Sequence, residues 1–371
     1  MAHVFIVNED TFSIHLQYKF AGTGAKNYDC EYLINNDVKV NASRERLLTG
    51  MIADVLRLKV GDNIIFYLQQ TKTHEGMFFG SFIVSGDPFI CNDNYLDDKL
   101  SKKLIFRVPI TENEVYAKGI TERDCLDSLE GITHPSQMCW SLIYRKLKGN
   151  RGCTMITDYE YDRIMQKIRK INNNVNIVQK NLNYDKEKNL IIKDEYSYNY
   201  EGKKEKINIK DRLLYKKNKQ LAFEAHLQAY ILQNLYSIEE LKVNKEKISW
   251  IGNEVSCGVG MQSIDICFIQ ESKENVNIIV CELKGVQPEY YIKNQISKYI
   301  QWITDYIIPT YNKKVIINPT IVSPKPTNET KKFLEDIKND VIQNEKKFEV
   351  KPIRNIYFEE VDNNILFKED N

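Results

Sequence analysis

The chain of 371 residues lacks any excess of charge: 52 Lys and Arg stand against 51 Asp and Glu. A protein that meets nucleic acid through a global basic field is therefore excluded, and a polyanionic partner must be met by local patches. No run of about 18 apolar residues is present, nor a charged-then-apolar leader. That sets the expectation of a cytoplasmic protein with neither a membrane span nor a secretion signal. Cys30, Cys91, Cys125, Cys139, Cys153, Cys257, Cys267 and Cys281 are scattered, without a Cys-X-X-Cys pair or a His-X3-His partner. Structural zinc and a disulfide framework are thereby disfavoured. Cys267 and Cys281 read as small core residues rather than nucleophiles.

What the sequence does have is a pair of apolar runs with three charges set into them. Ser263-Ile264-Asp265-Ile266-Cys267-Phe268-Ile269 and Asn277-Ile278-Ile279-Val280-Cys281-Glu282-Leu283-Lys284-Gly285 are rich in Ile and Val. They are bounded by the polar stretch 271–275 and by Gly285, and read as a hairpin. An ionised side chain in an apolar wall is costly unless it is paired or holds a metal. Glu282 and Lys284 are two apart and share one face of their strand, so two carboxylates and an ammonium converge near one end of a sheet. Asp-X16-Glu-X-Lys suits phosphodiester hydrolysis. The carboxylates hold a hard cation such as Mg2+, which clamps the scissile phosphate, and the lysine orients or helps deprotonate the attacking water. The same spacing also fits an ordinary hairpin whose charges lie on a solvated face.

Length and punctuation predict two domains joined by a polar linker. In residues 1–170, His3–Val7 reads as a strand, 8–11 as a helix start and 20–24 as a loop. A helix follows over 43–58, then strands over 63–68, 77–84 and 105–109, and short helices over 121–129 and 136–144. Thr157 and Glu160 form a capping box opening a helix whose inner side is Tyr161, Ile164, Met165 and Ile168. Arg145, Lys146, Lys148 and Arg151 are the densest basic cluster of this half, either a phosphate contact or a solvated loop. Trp140 fits base stacking or core filling. From 171 to 212 Asn, Lys, Asp, Glu and Tyr dominate, which reads as a linker with partial order at best, although 191–192 and 207–209 could add edge strands.

In residues 213–371 a helix over 217–236 places Glu224 on the stripe of Leu227, Ile231 and Leu235. There it is either a third site acid or a first-turn glutamate answering the helix dipole. A strand over 250–257 precedes the hairpin, with Gly258 to Gly260 as a flexible lead into it. A helix over 289–307 turns Ile292, Ile296, Tyr299, Ile300 and Ile303 inward, with Gln295 beside that face. Strands over 313–322, 348–359 and 365–367 and a charged helix over 328–346 complete a mixed α/β sheet flanked by helices.

Two resemblances follow from these residues. Phe5-Ile6-Val7-Asn8, Phe20-Ala21-Gly22-Thr23, the stretches 60–67 and 80–89, and Gly149-Asn150-Arg151-Gly152 with its trailing helix resemble the EVE/YTH branch of the PUA-like superfamily. The resemblance implies a curved-sheet barrel that holds a flipped, often modified, base, and puts Phe20 at a cage position where many members have Trp. Glu224, Ile264-Asp265, Glu282-Leu283-Lys284 and the helix carrying Gln295 resemble the PD-(D/E)XK nuclease superfamily, particularly its NucS-like branch, with Ile264 replacing the eponymous proline. That resemblance implies metal binding by Asp265, Glu282 and the Leu283 carbonyl, water activation by Lys284, and help from Glu224 and Gln295. Together they imply an α+β reader followed by an α/β nuclease: a Mg2+-dependent restriction-type DNA endonuclease, with Mn2+ substituting, that selects double-stranded DNA through a modified cytosine and acts as a homodimer. Phe20, Trp140, Lys146, Lys148 and Arg151 are its expected base and phosphate contacts. The alternatives are a sequence-specific type II or mismatch-specific repair nuclease, and a non-catalytic binder of modified nucleic acid.

Overall fold

A computed structural model describes residues 1–370 apart from 26–29, 34, 37, 73, 127–151, 178–180 and 258–261. The described residues divide into two compact units, 1–208 and 209–370. Among them no helix is long and apolar enough to cross a membrane.

The first unit is a nine-stranded sheet with helices. Its elements are β1 (Ala2–Val7), α1 (Glu9–Tyr18), β2 (Phe20–Thr23), α2 (Ala42–Leu56), β3 (Asn63–Leu68), β4 (Met77–Val84), β5 (Phe89–Ile90), β6 (Phe106–Glu112), β7 (Ile120–Thr121), α3 (Glu122–Leu126), β8 (Cys153–Ile156) and α4 (Asp158–Ile171). These are followed by β9 (Leu182–Asp185), β10 (Leu190–Lys193) and β11 (Glu205–Lys206). The strand order is β11-β5-β6-β4-β3-β1-β8, with β2 on β6 and β7 on β4, and β9 pairs with β10 alone. β1 and β3 run parallel; the other pairs are antiparallel. Helix starts are fixed chemically. Asn8 Oδ1 accepts the Thr11 N–H at 2.8 Å while Thr11 Oγ1 accepts the Asn8 N–H, and Thr157 with Glu160 closes the same reciprocal pair on α4.

Three expectations for this half change. The sheet is open among the described residues, not a closed barrel. Residues 20–23 form a strand rather than a loop, because Phe20-Ala21-Gly22-Thr23 pairs with Pro109 to Phe106. The stretch expected as a linker up to Asn208 belongs to the first unit. β11 extends the sheet, and tyrosines anchor the rest: Tyr184 packs on Phe12 at 5.0 Å, Tyr198 on Tyr18 at 5.2 Å and Tyr200 on Phe20 at 5.8 Å between ring centroids. A tyrosine has one polar atom and a large apolar ring, so a stretch poor in aliphatics can still be anchored by its rings. The expected helix 136–144 and the glycines 258–260 lie outside the described residues.

The second unit comprises α5 (Lys210–Asn218), α6 (Glu224–Gln233), β12 (Ile248–Ser256), β13 (Ser263–Glu271), β14 (Asn275–Leu283), α7 (Tyr291–Trp302), β15 (Lys314–Pro324), α8 (Asn328–Ile337), β16 (Gln343–Asn344), β17 (Phe348–Val350), β18 (Arg354–Val361) and β19 (Asn364–Glu369). Its eight-stranded sheet has the order β12-β13-β14-β15-β17-β16, with β18 on β15 and β19 on β18. β12, β13 and β14 form an antiparallel meander and β14 runs parallel to β15. The tight turn between β13 and β14 is closed by the Ser272 N–H donating to the Asn275 carbonyl at 2.9 Å. α7 buries Ile292, Ile296, Tyr299 and Ile300; each isoleucine contributes about 1.5–3 kcal/mol by leaving water. The expected helix 217–236 is instead two, interrupted where Gln220 takes a left-handed φ of 53°. The helix expected to reach Ile307 leaves α-geometry after Trp302 and widens into a π turn.

Candidate functional site

The site is built from the period of two along β13 and β14. Ile266 faces Cys281 across the pair. One step beyond, Asp265 Oδ2 accepts the Leu283 N–H at 2.7 Å, which sets Asp265 beside Glu282 on one side of the sheet. Glu282 is only 3% exposed, and a carboxylate so placed must be answered. Lys284 Nζ donates to its Oε1 at 2.6 Å and the Tyr299 hydroxyl to its Oε2 at 2.8 Å. The Ser263 carbonyl, 3.0 Å from the same hydroxyl, competes for that proton.

The charges do not cancel. Burial, followed by the neighbouring Glu282, holds the Asp265 carboxyl well above the usual carboxylate range. Glu254 adds to the rise, while the Leu283 N–H and Lys284 oppose it. Burial works against the Lys284 ammonium, but its bond to Glu282 and the charges of Glu282, Asp265 and Glu224 outweigh that and raise its affinity for the proton. Burial and then Glu282 push the Cys257 thiol up to about 12, so it is an inert neutral neighbour.

The remaining expected residues fall differently. Glu224 is exposed at the first position of α6, not on its buried stripe. α6 begins there, seven residues later than the periodicity predicts, so Glu224 sits on a helix end. From that end it still reaches the site, accepting the Gly285 N–H at 3.0 Å. Gln295 is partly buried, and no hydrogen bond among the described residues ties it to the carboxylates. Tyr299, one turn further along the same helix, makes that connection instead. A lone tyrosine among isoleucines on an inner face was the available signal, since its hydroxyl needs a partner.

Glu254 and Gln228 carry no comparable signal. Asn253 faces Ile266 and Val255 faces Ile264, so Glu254 lies opposite Asp265. Gln228 Nε2 donates to the Asp265 carbonyl at 2.9 Å and approaches Glu254 Oε1 at 3.4 Å, and Ser263 Oγ donates to Glu254 Oε2 at 3.1 Å. Glu254 has a left-handed φ of 49°, which costs a residue with a Cβ about 1–2 kcal/mol.

Among the described residues no three His, Cys, Asp or Glu side chains form a cage for a metal ion. The donors that come together are the two carboxylates, a hard oxygen set. That set fits Mg2+, which keeps most of its waters and takes only one or two carboxylates. The carboxyl pair is short of positive charge, and Lys284 already places a cationic nitrogen on Glu282.

In the first unit Phe20 is not an open cage wall. It is 1% exposed, with the Arg107 guanidinium 4.8 Å from its ring centroid, His15 at 4.9 Å and Tyr200 edge-on at 5.8 Å. Trp140, Lys146, Lys148 and Arg151 lie outside the described residues.

Scans against protein-family models and against curated proteins return no match. Solved structures that align with part of this chain include a hypothetical protein from Leishmania major, at 14% identity over 46% of this chain and 95% of that one, with a TM-score of 0.30. Human THYN1 in complex with DNA containing 5-methylcytosine aligns at 12% identity over 45% of this chain and 96% of that one, with a TM-score of 0.26. A Pseudomonas syringae protein aligns at 14% identity over 45% and 99%, with a TM-score of 0.28. At these scores the likeness carries no assignment.

Proposed function

We propose that this chain is a divalent-cation-dependent DNA endonuclease, the second unit hydrolysing the phosphodiester bond and the first selecting the site through a modified cytosine. The observation that carries the hydrolase reading is one constellation: Asp265 and Glu282 side by side on neighbouring strands, with Lys284 Nζ 2.6 Å from Glu282. The choice of modified cytosine rests on the sequence resemblance of residues 1–170 to EVE/YTH readers. A reader attached to a hydrolytic centre is chemically sensible, because contacts to the sugar-phosphate backbone carry no sequence information.

Asp265, Glu282 and the Leu283 carbonyl are the groups that would hold Mg2+ or Mn2+. A bound cation supplies Lewis acidity at a phosphoryl oxygen. Lys284 sits where its ammonium can orient a water and offset charge growing on the phosphate. The water oxygen bonds to phosphorus as the P–O ester bond breaks, and its proton ends on the leaving oxygen. Leu283 N–H fixes the Asp265 carboxylate and Tyr299 fixes that of Glu282, so both are oriented before substrate arrives. Two copies are needed for a double-strand break, which favours a homodimer.

One observation favours a non-catalytic nucleic-acid binder: both oxygens of Glu282 already have protein donors. Plasmid digestion separates the two readings. Wild type is expected to nick or cut with Mg2+ and to be silent in EDTA, with Asp265→Ala silent in both. Matched unmodified, methylated and hydroxymethylated substrates test the reader, the modified ones being cut in preference. Equal cutting by Asp265→Ala removes the site assignment.

A further inference from the structure

We propose that Glu254 is a positioning residue for the cation site, holding the backbone of Asp265 through Gln228 and the Ser263 segment that Tyr299 contacts beside Glu282, without itself gripping the ion. The inference rests on the cation-binding reading above. One arm runs from Glu254 Oε2 to Ser263 Oγ at 3.1 Å; the Ser263 carbonyl faces the Tyr299 hydroxyl at 3.0 Å, and that hydroxyl holds Glu282 Oε2 at 2.8 Å. The other runs from Glu254 Oε1 to Gln228 Nε2 at 3.4 Å, and the same amide holds the backbone carbonyl of Asp265 at 2.9 Å. Glu254 is thus where the supports of Asp265 and Glu282 meet. It does not complete a three-acid cage with them, so its action is indirect.

The backbone supplies a second, independent sign. Asn253 and Val255 pair regularly with β13 on either side of Glu254, yet Glu254 itself sits at φ 49°. A left-handed glutamate between two paired strand residues is disfavoured, and such conformations concentrate where a side chain has a task. Its partners are specific. Gln228 comes from α6 and Ser263 opens β13, so three elements are aligned by one carboxylate.

Outer partners of metal ligands affect cation affinity by about 10–100-fold, and Mn2+ titration by calorimetry reads that directly. Glycine adopts a left-handed φ without penalty, so Glu254→Gly removes the side chain while relieving the backbone and is expected to melt in EDTA no lower than wild type. Its Mn2+ affinity is expected to fall about 10–100-fold. Glu254→Gln can still accept from Gln228 and donate to Ser263 Oγ, and is expected to bind Mn2+ within about threefold of wild type, a difference under 1 kcal/mol in binding. Wild-type affinity in Glu254→Gly overturns the role of Glu254 alone. Equal loss in Glu254→Gln and Glu254→Gly overturns positioning in favour of charge. Failure of wild type to bind Mn2+ overturns both this inference and the cation-binding reading on which it rests.

Discussion

The two units bury charge in opposite ways. In the first, Arg107 is 1% exposed, and its guanidinium donates to the carbonyls of Leu104 and Tyr95 and to the Tyr200 hydroxyl, at 2.7, 2.8 and 2.9 Å. It lies over the rings of Phe20 and Tyr200. Elsewhere in the same unit, burial pushes the Asp62 carboxyl up, but the His3 ring at 2.9 Å, the amino terminus and the Lys59 N–H at 3.0 Å bring it below the usual range. In the second unit the Asp265 carboxyl is raised, with Glu282 beside it and Glu254 behind it. A buried charge whose partners are complete is part of the architecture. A buried pair of like charges left under-compensated is what the proposed cation would answer.

The contrast can be broken most severely at Arg107. Arg107→Met leaves three acceptors without their donor and is expected to destabilise the first unit by about 3 kcal/mol, read as a melting shift that is the same with and without Mg2+. A melting shift that Mg2+ cancels would move Arg107 from scaffold to site.

A smaller effect comes from Asp265→Asn, and here pH gives the sign. The folded-state pKa of Asp265 is raised, so its contribution to stability is present below the ordinary carboxylate value of 3.8 and lost as pH rises through the folded value. In EDTA, wild type is expected to lose stability relative to Asp265→Asn as pH climbs above that ordinary value. Parallel melting curves across that range would show that the two carboxylates do not burden one another. Smallest is Tyr299→Phe, which removes one hydrogen bond from Glu282 Oε2 and is expected to cost about 1 kcal/mol and to slow plasmid cutting about tenfold. Unaltered cutting would remove Tyr299 from the site.

The parts of this arrangement legible in the sequence are those fixed by local periodicity. Alternation along a strand is strict, so Glu282 and Lys284 share a face whatever surrounds them. The strands 63–68 and 77–84 were readable because turn residues bound them at both ends. What could not be read depends on which distant element comes to rest where. Glu254 faces Asp265 only because β12 pairs with β13 in one register, and Tyr299 reaches Glu282 only because α7 lies on that side of the sheet. The order of the stretch 182–200 is hidden from the sequence for another reason. Its tyrosines find partners in Phe12, Tyr18 and Phe20, residues more than 150 positions away that no local window contains.

The most direct test is thermal melting of wild type and Asp265→Asn with EDTA and then with saturating Mn2+. A ligand at 100 times its dissociation constant stabilises the folded state by about 2.7 kcal/mol. Wild type is therefore expected to melt several degrees higher with Mn2+, with Asp265→Asn nearly indifferent. An equal rise in both proteins, or none in wild type, would contradict a cation site built on Asp265 and Glu282.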